Sequence, residues 1–259
     1  MLYAFCVLLF ATTGISASSV SRLDRINQSG EIKVCIWPDY FAISYRNPRT
    51  GELEGIDIDM AHALASELAV KLTFVDSSFA ELIKNMNNDA CDIAMHSVAI
   101  REDRRAHMDF SAAHLISGIY AVSMKTNLNI TRWSELDQEG NIIVVQKGTY
   151  MEPVMRNYLK KADLSVVNSF KAREQEIQSG RGDAFMTDYP YGRRMTALTR
   201  WARLLEPETP LAPTPYAYAV PKNDPRWLQT VNNFLKTVKA DGRLAASAAR
   251  HGLSPIVAP

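Results

Sequence analysis

Two ionic residues stand where small-molecule recognition would need them. Arg104 lies in MHSVAIREDRRAHMDFS, residues 95–111, together with Arg101, Arg105 and His107 against Glu102, Asp103 and Asp109. Asp188 closes the stretch FMTD, residues 185–188. A guanidinium takes a carboxylate through two parallel N–H donors, and a carboxylate takes an ammonium. Trp37, Tyr40, Phe79 and Tyr150 could hold the apolar body between the two poles, with the hydroxyls of Ser97 and Thr149 nearby. Such a set suits a small zwitterion. Plainer roles exist for each residue. Arg104 could pair with Glu102 or Asp103 on the surface, Asp188 could cap the helix starting near Tyr189, and Trp37, Tyr40 and Phe79 could fill a core. Arg101 is the only other basic residue of the run read toward a cleft; Arg105 and His107 read as solvated or helix-capping.

Other chemistries find little support. The five histidines show no HxxxH, HxH or cysteine partner at ligand spacing, so no metal site is expected. Asp57 and Asp59 in GIDIDMA resemble a metal pair but read as the start of a helix that ties a lobe together. No glycine-rich phosphate loop is present and no cofactor is expected. With 29 basic and 28 acidic side chains the formal charge is +1, which argues against a nucleic-acid partner.

The elements that must position these groups alternate in type. Of 259 residues 47% are hydrophobic, enough for one large domain or two lobes. β-rich runs fall at 32–37, 72–76, 92–97, 118–124, 142–146, 164–169, 183–188 and 216–220. Helical periodicity falls at 58–69, 79–87, 151–161, 170–178, 189–199, 226–239 and 243–251. Strands separated by helices imply parallel sheets and an α/β protein. The run 112–124 joins two such sets, and the helices after Pro225 have no strand to follow them. The expected division is a first lobe at 23–116 and 215–259, and a second lobe at 117–214. Ligands of open α/β sheets bind beyond the carboxyl ends of strands, which directs attention to 37–41, 77–79, 97–104, 146–150 and 187–189.

The apolar run at 2–11, followed by small and polar residues, is too short to span a bilayer but suits a signal peptide over 1–18, cleaved after Ala17 or Ser18. An exported, periplasmic protein is expected. Cys6 lies in that segment. Cys35 and Cys91 sit in or beside apolar strand-like runs and read as buried free thiols.

In order and spacing, RLDRINQSGEIKVCIWPDY, GELEGIDIDMAHALASEL, DIAMHSVAIREDRRAHMDFS, NIIVVQKGT, GDAFMTDYP and YAVPKND resemble the extracellular solute-binding proteins of the polar amino-acid type, the periplasmic receptors of ABC importers. The resemblance runs from about residue 23 to residue 252. It implies a two-lobed periplasmic-binding-protein fold of type II, closing like a hinge on its ligand, a monomer, and a membrane permease as partner. It gives Arg104 the ligand carboxylate, Asp188 the ammonium, and Tyr40 (or Phe41) and Phe79 the aromatic walls. Ser97 falls where a backbone group contacts the ammonium, and Gly148 and Thr149 form a turn whose amides face the carboxylate.

Three positions depart from the family pattern. Ala99 stands where a hydroxyl residue is usual, Arg101 where a small hydroxyl residue is common, and Tyr150 where threonine is common. These changes fit a larger or less zwitterionic ligand, with a second acidic group for Arg101. The chain also resembles the related cyclohexadienyl dehydratases in SRLDRI and GIDIDMA. Those enzymes use a glutamate after the GT turn as general acid; here Glu152 lies one position further on, turned about 100° away on a helix. Under this alternative the chain is a carbon–oxygen lyase and Glu152→Gln abolishes turnover of prephenate or arogenate.

Overall fold

The structure, a computed structural model, describes residues 20–259. The expected signal segment and Cys6 lie outside the described residues.

Among the described residues ten strands form one mixed sheet. On one side Lys71–Asp76, Glu31–Ile36 and Ile93–Ala99 run parallel; on the other, Asp163–Val167, Ile142–Gln146 and Ala184–Thr187 do. The long strands Leu115–Met124 and Leu211–Pro221 lie antiparallel between the two sets. Ile93–Ala99 is buried at all seven positions, His96 and Ser97 included, as a strand covered on both faces must be. Leu211–Pro221 shifts register between Leu211 and Thr214 and again between Ala217 and Ala219. Such irregularities bend a strand locally, and here they fall in a segment that crosses between the two sets.

The carboxyl-terminal helices return to the first set. Pro225–Ala240 buries Trp227, whose Nε1 donates to the Asp92 carbonyl at 2.9 Å. Helix Ile56–Glu67 follows Gly55, where a Cβ would meet the Ile43 carbonyl oxygen at 2.3 Å and φ is 135°. Only glycine permits that approach. The helix then directs Asp57 inward and Asp59 toward the far end of the chain. Asp57 accepts from the Ser97 amide at 2.6 Å and the Ser97 hydroxyl at 2.9 Å, with His114 Nε2 at 3.0 Å. Asp59 accepts from Ser247 and Arg250, with His251 alongside. Those hydrogen bonds, with Ser247, Arg250 and His251 outweighing burial, hold the Asp59 carboxyl far below the usual carboxylate range. Both aspartates tie segments together, and among the described residues no group of three or more His, Cys, Asp or Glu is placed to hold a metal ion.

Two expectations need correction. Cys35 and Cys91 are not free thiols: they form a disulfide with Cα atoms 5.6 Å apart. Parallel pairing of Glu31–Ile36 with Ile93–Ala99, which sets Cys35 opposite Ala94, brings Cys91 within reach. The helix expected over 79–87 is confined to Leu82–Asn87, because 77–81 is a loop whose Ser78 hydroxyl accepts from the Glu81 amide. Five short elements carry too little periodicity to read beforehand: the helix Arg22–Ser29, the strands Met108–Phe110 and Ala202–Leu205, and the paired strands Tyr45–Arg46 and Leu53–Glu54.

Candidate functional site

The carboxyl ends of the two strand sets face one another across a cavity. Tyr40, Phe79, Ser97, Ala99, Arg104, Thr149, Tyr150 and Asp188 all line it. Trp37 and Arg101 do not. Trp37 stacks on Phe170 with ring centroids 4.5 Å apart and lines a groove outside the cavity. Arg101 chelates Asp103 and reaches across to donate to the Gly148 carbonyl at 3.2 Å. Its guanidinium is thus paired with a neighbouring carboxylate outside the cavity lining. Between the two aromatic alternatives, Tyr40 lines the cavity, whereas Phe41 packs against Tyr45.

Arg104 is 4% exposed, on the short helix Glu102–Arg105. One guanidinium nitrogen donates to the Ala99 carbonyl at 3.0 Å, and the group lies 5.2 Å from the Phe79 ring centre. It makes no ion pair among the described residues, so its remaining donors are available to a ligand. Burial, assisted by Arg101, lowers its pKa to about 10, which still leaves it charged at neutral pH. Arg105 is solvated, as expected, and pairs with Glu102 at 3.5 Å.

Asp188 caps the helix Tyr189–Leu198, accepting from the Tyr191 amide at 3.1 Å. Its other oxygen accepts from the hydroxyls of Tyr40 and Tyr216. Burial pushes its pKa up even though three donors hold it down. Tyr216 begins the buried part of the crossing strand and stands between the two lobes' polar groups. Asp188 therefore caps its helix and lines the cavity together, with both phenols donating to its Oδ2.

The GT turn departs from its expected role. The Gly148 amide donates to Glu152 Oε2 at 3.3 Å, and the Thr149 amide and hydroxyl both donate to the Gln146 carbonyl. These amides are engaged within their own turn rather than aimed at a ligand. Glu152 also accepts from Arg156 at 2.9 Å, which holds its carboxyl below the usual range, and it does not line the cavity.

A cavity at strand ends, with the buried Arg104 guanidinium and a capped carboxylate, is accompanied by a sequence match over nearly all of the described chain. The family model of bacterial extracellular solute-binding proteins, family 3, matches residues 32–254. The chain belongs to that family. Cyclohexadienyl dehydratase of Pseudomonas aeruginosa is 31% identical over 240 residues, covering 92% of this chain and 88% of the enzyme. The glutamine-binding protein of a Bacillus subtilis ABC transporter is 26% identical over 250 residues, covering 92% and 90%. The crystal structure of an ancestral amino-acid-binding protein, a precursor of cyclohexadienyl dehydratase, superposes with a TM-score of 0.80 at 31% identity, covering 89% of this chain and 99% of that one. The fold is accordingly the two-lobed α/β type of periplasmic amino-acid-binding proteins.

Thr187, within the strand end 187–189, also lines the cavity, as do four residues of this family 3 protein that sequence did not single out: Met151, Phe170, Arg173 and Tyr216. Phe170 and Arg173 sit on the helix Phe170–Gln178, capped by Ser169, whose hydroxyl accepts from the Ala172 amide at 3.1 Å. The strand-end rule would have reached Phe170 had it been applied after 164–169. Met151 takes the place beside the GT turn that a glutamate shifted by one would have filled.

Ser97, His114 and Asp57 lie together beneath the cavity but do not form a nucleophilic triad. His114 Nε2 faces both Ser97 Oγ, at 3.4 Å, and Asp57 Oδ1, at 3.0 Å. A relay needs one ring nitrogen for each partner. Ser97 is held at φ 49°, a left-handed conformation costing on the order of 1–3 kcal/mol, and its two bonds to Asp57 hold it there.

His96 is fully buried, edge-on to Phe79 at 5.2 Å, with neither ring nitrogen partnered. Burial lowers its pKa to about 4, with Arg104 lowering it further and Asp57 opposing. A depressed histidine contributes stability above its unfolded pKa that is lost as pH falls through the folded one. From an unfolded value near 6.5, about 3 kcal/mol should disappear as pH falls from about 6.5 to about 4. Urea unfolding of wild type and His96→Leu should show wild type losing about that much stability relative to the variant as pH falls across this range. A gap independent of pH would contradict a neutral buried His96.

Proposed function

We propose that the protein is an exported receptor that captures a small carboxylate, an amino acid or a related metabolite, and delivers it to the permease of an ABC importer. Residues 23–116 with 215–259, and residues 117–214, are the two bodies that close on the ligand, with 1–18 as the cleaved signal; the receptor acts as a monomer. The single observation carrying this reading is Arg104, buried against Phe79 inside the cavity with no carboxylate ion-paired to it among the described residues. Burying a guanidinium without a partner is costly, so its site is built for an anion. The disulfide supports export, because such bonds persist in oxidising compartments. The test is a thermal-shift screen against amino acids and dicarboxylates. A ligand that binds the folded form raises its melting temperature by mass action; no shift with any member contradicts the reading.

Similarity to cyclohexadienyl dehydratase favours the lyase alternative, but the position of Glu152 opposes it. A general acid must carry a proton near neutral pH and reach the substrate. Glu152 is ion-paired with Arg156, held ionised, and outside the cavity lining. The protein is therefore expected not to turn over prephenate or arogenate, and Glu152→Gln is expected to bind the receptor's ligand as wild type does. Turnover that Glu152→Gln abolishes would reverse this assignment.

A further inference from the structure

Opposite Arg104, on the second lobe, Arg173 is fully buried and lines the same cavity. Its guanidinium lies 4.3 Å from the Phe170 ring centre, 4.8 Å from Phe185 and 4.9 Å from Tyr191. Three rings thus fix its position. Only Nη1 has a protein partner, the Met186 carbonyl at 2.5 Å; Nε and Nη2 have none. Thr187, the residue after that carbonyl, also lines the cavity, and its buried hydroxyl is likewise unpartnered.

The neighbouring acids Asp188 and Glu174 favour the charge of Arg173 from a distance, but neither hydrogen-bonds nor ion-pairs with it. Glu174 accepts from Arg194 at 2.6 Å and from the Tyr191 hydroxyl at 2.5 Å. Asp188 is occupied by Tyr40, Tyr216 and the Tyr191 amide. Buried polar groups in native structures are almost always satisfied, and a buried charge without a partner is the costliest exception. Three unpartnered donor atoms, on two residues facing one cavity, therefore call for an acceptor from outside the chain.

We propose that Arg173 and Thr187 form a second anion subsite, so that the ligand carries two acidic groups, one held by Arg104 and one by Arg173, about an apolar body seated among Tyr40, Phe79 and Phe170. This deepens the receptor reading and rests on it. It moves the second acidic group from Arg101, which is engaged with Asp103 and Gly148, to Arg173. It also gives a use to a cavity in which Asp188, the acid meant for an ammonium, already accepts from three protein donors. A diacid needs no ammonium site.

The test uses calorimetry on the full mature protein with matched probes: L-glutamate against L-glutamine, and isophthalate against benzoate. Each diacid should bind wild type about ten- to a hundredfold tighter than its single-acid partner, the range for a charge-assisted hydrogen-bonded pair. Arg173→Met should erase that preference, and the near-isosteric Thr187→Val should reduce it severalfold. Arg104→Ala should weaken both members of a pair. Should Arg173→Met fail to fold by circular dichroism, Thr187→Val carries the test. Single acids binding as tightly as diacids would overturn the second subsite while leaving the Arg104 clamp intact. A preference that survives in folded Arg173→Met, or in Thr187→Val where that variant carries the test, would also overturn it. Failure of all four probes would overturn both.

Discussion

Arg104→Ala should abolish most of the thermal stabilisation that a carboxylate ligand confers, and Arg105→Ala should leave it unchanged. The two arginines are adjacent in sequence, yet only Arg104 points into the cavity, 4% exposed, with donors to spare. Arg105 pairs with Glu102 and lies over Phe110 outside it. Removing a bidentate, charge-assisted pair of hydrogen bonds from a buried site costs about 2–3 kcal/mol, or roughly a hundredfold in affinity. At a ligand concentration of about 100 Kd the wild type gains about 2.7 kcal/mol, and the variant would keep only about 0.4 kcal/mol of it. In melting temperature, that is a shift of about 5–10 °C reduced to about 1 °C. Arg104→Lys should retain part of the gain, because an ammonium keeps the charge but not the paired donors. Equal losses in Arg104→Ala and Arg105→Ala would mean that the anion site lies elsewhere.

The second large effect concerns stability rather than binding. Replacing Cys35 and Cys91 together by alanine should lower stability by about 4 kcal/mol and the melting temperature by about 10 °C. The bond closes a loop with a sequence separation of 56 residues, and the entropy removed from the unfolded chain grows only slowly with that length. Alanine leaves no buried hydroxyl to satisfy, so the loss reports the cross-link rather than a new polar cost. Both cysteines flank strands that supply the cavity: Glu31–Ile36 leads to Trp37 and Tyr40, and Ile93–Ala99 carries Ser97 and Ala99. Ligand stabilisation should nevertheless persist in the double variant at a temperature where it is folded, since strand pairing still sets those ends. Reductant should lower the wild-type melting temperature and not that of the variant. A wild type indifferent to reductant after full thiol release would contradict the role assigned to the bond.

Much of the cavity was legible because it follows from strand ends. Tyr40, Phe79, Ser97, Arg104 and Asp188 were reached by looking just beyond β-rich runs, where open α/β sheets bind ligands. Arg173 was not, since it stands inside a helical run and looks like any helix-surface arginine until the fold turns it between three rings. Tyr216 read as an ordinary strand residue; its hydroxyl matters only because the crossing strand passes Asp188. The cysteine pairing was hidden for a related reason. Two residues separated by 56 positions meet through the register of neighbouring parallel strands, which apolar periodicity does not encode. The GT turn misled in the opposite sense: its amides would face a ligand, but Glu152 four residues on fills the first of them.

Calorimetric titration of the wild-type protein, unfolded and refolded to remove any carried ligand, tests the carboxylate clamp most directly. Each acid of the amino-acid and dicarboxylate panel is run beside the analogue in which its carboxylate is a carboxamide. The expected result is one-to-one binding of at least one acid, weakened about a hundredfold in its carboxamide and to a similar degree by Arg104→Ala. Binding of the carboxamides as tight as that of the acids, or no binding by any acid, would contradict it.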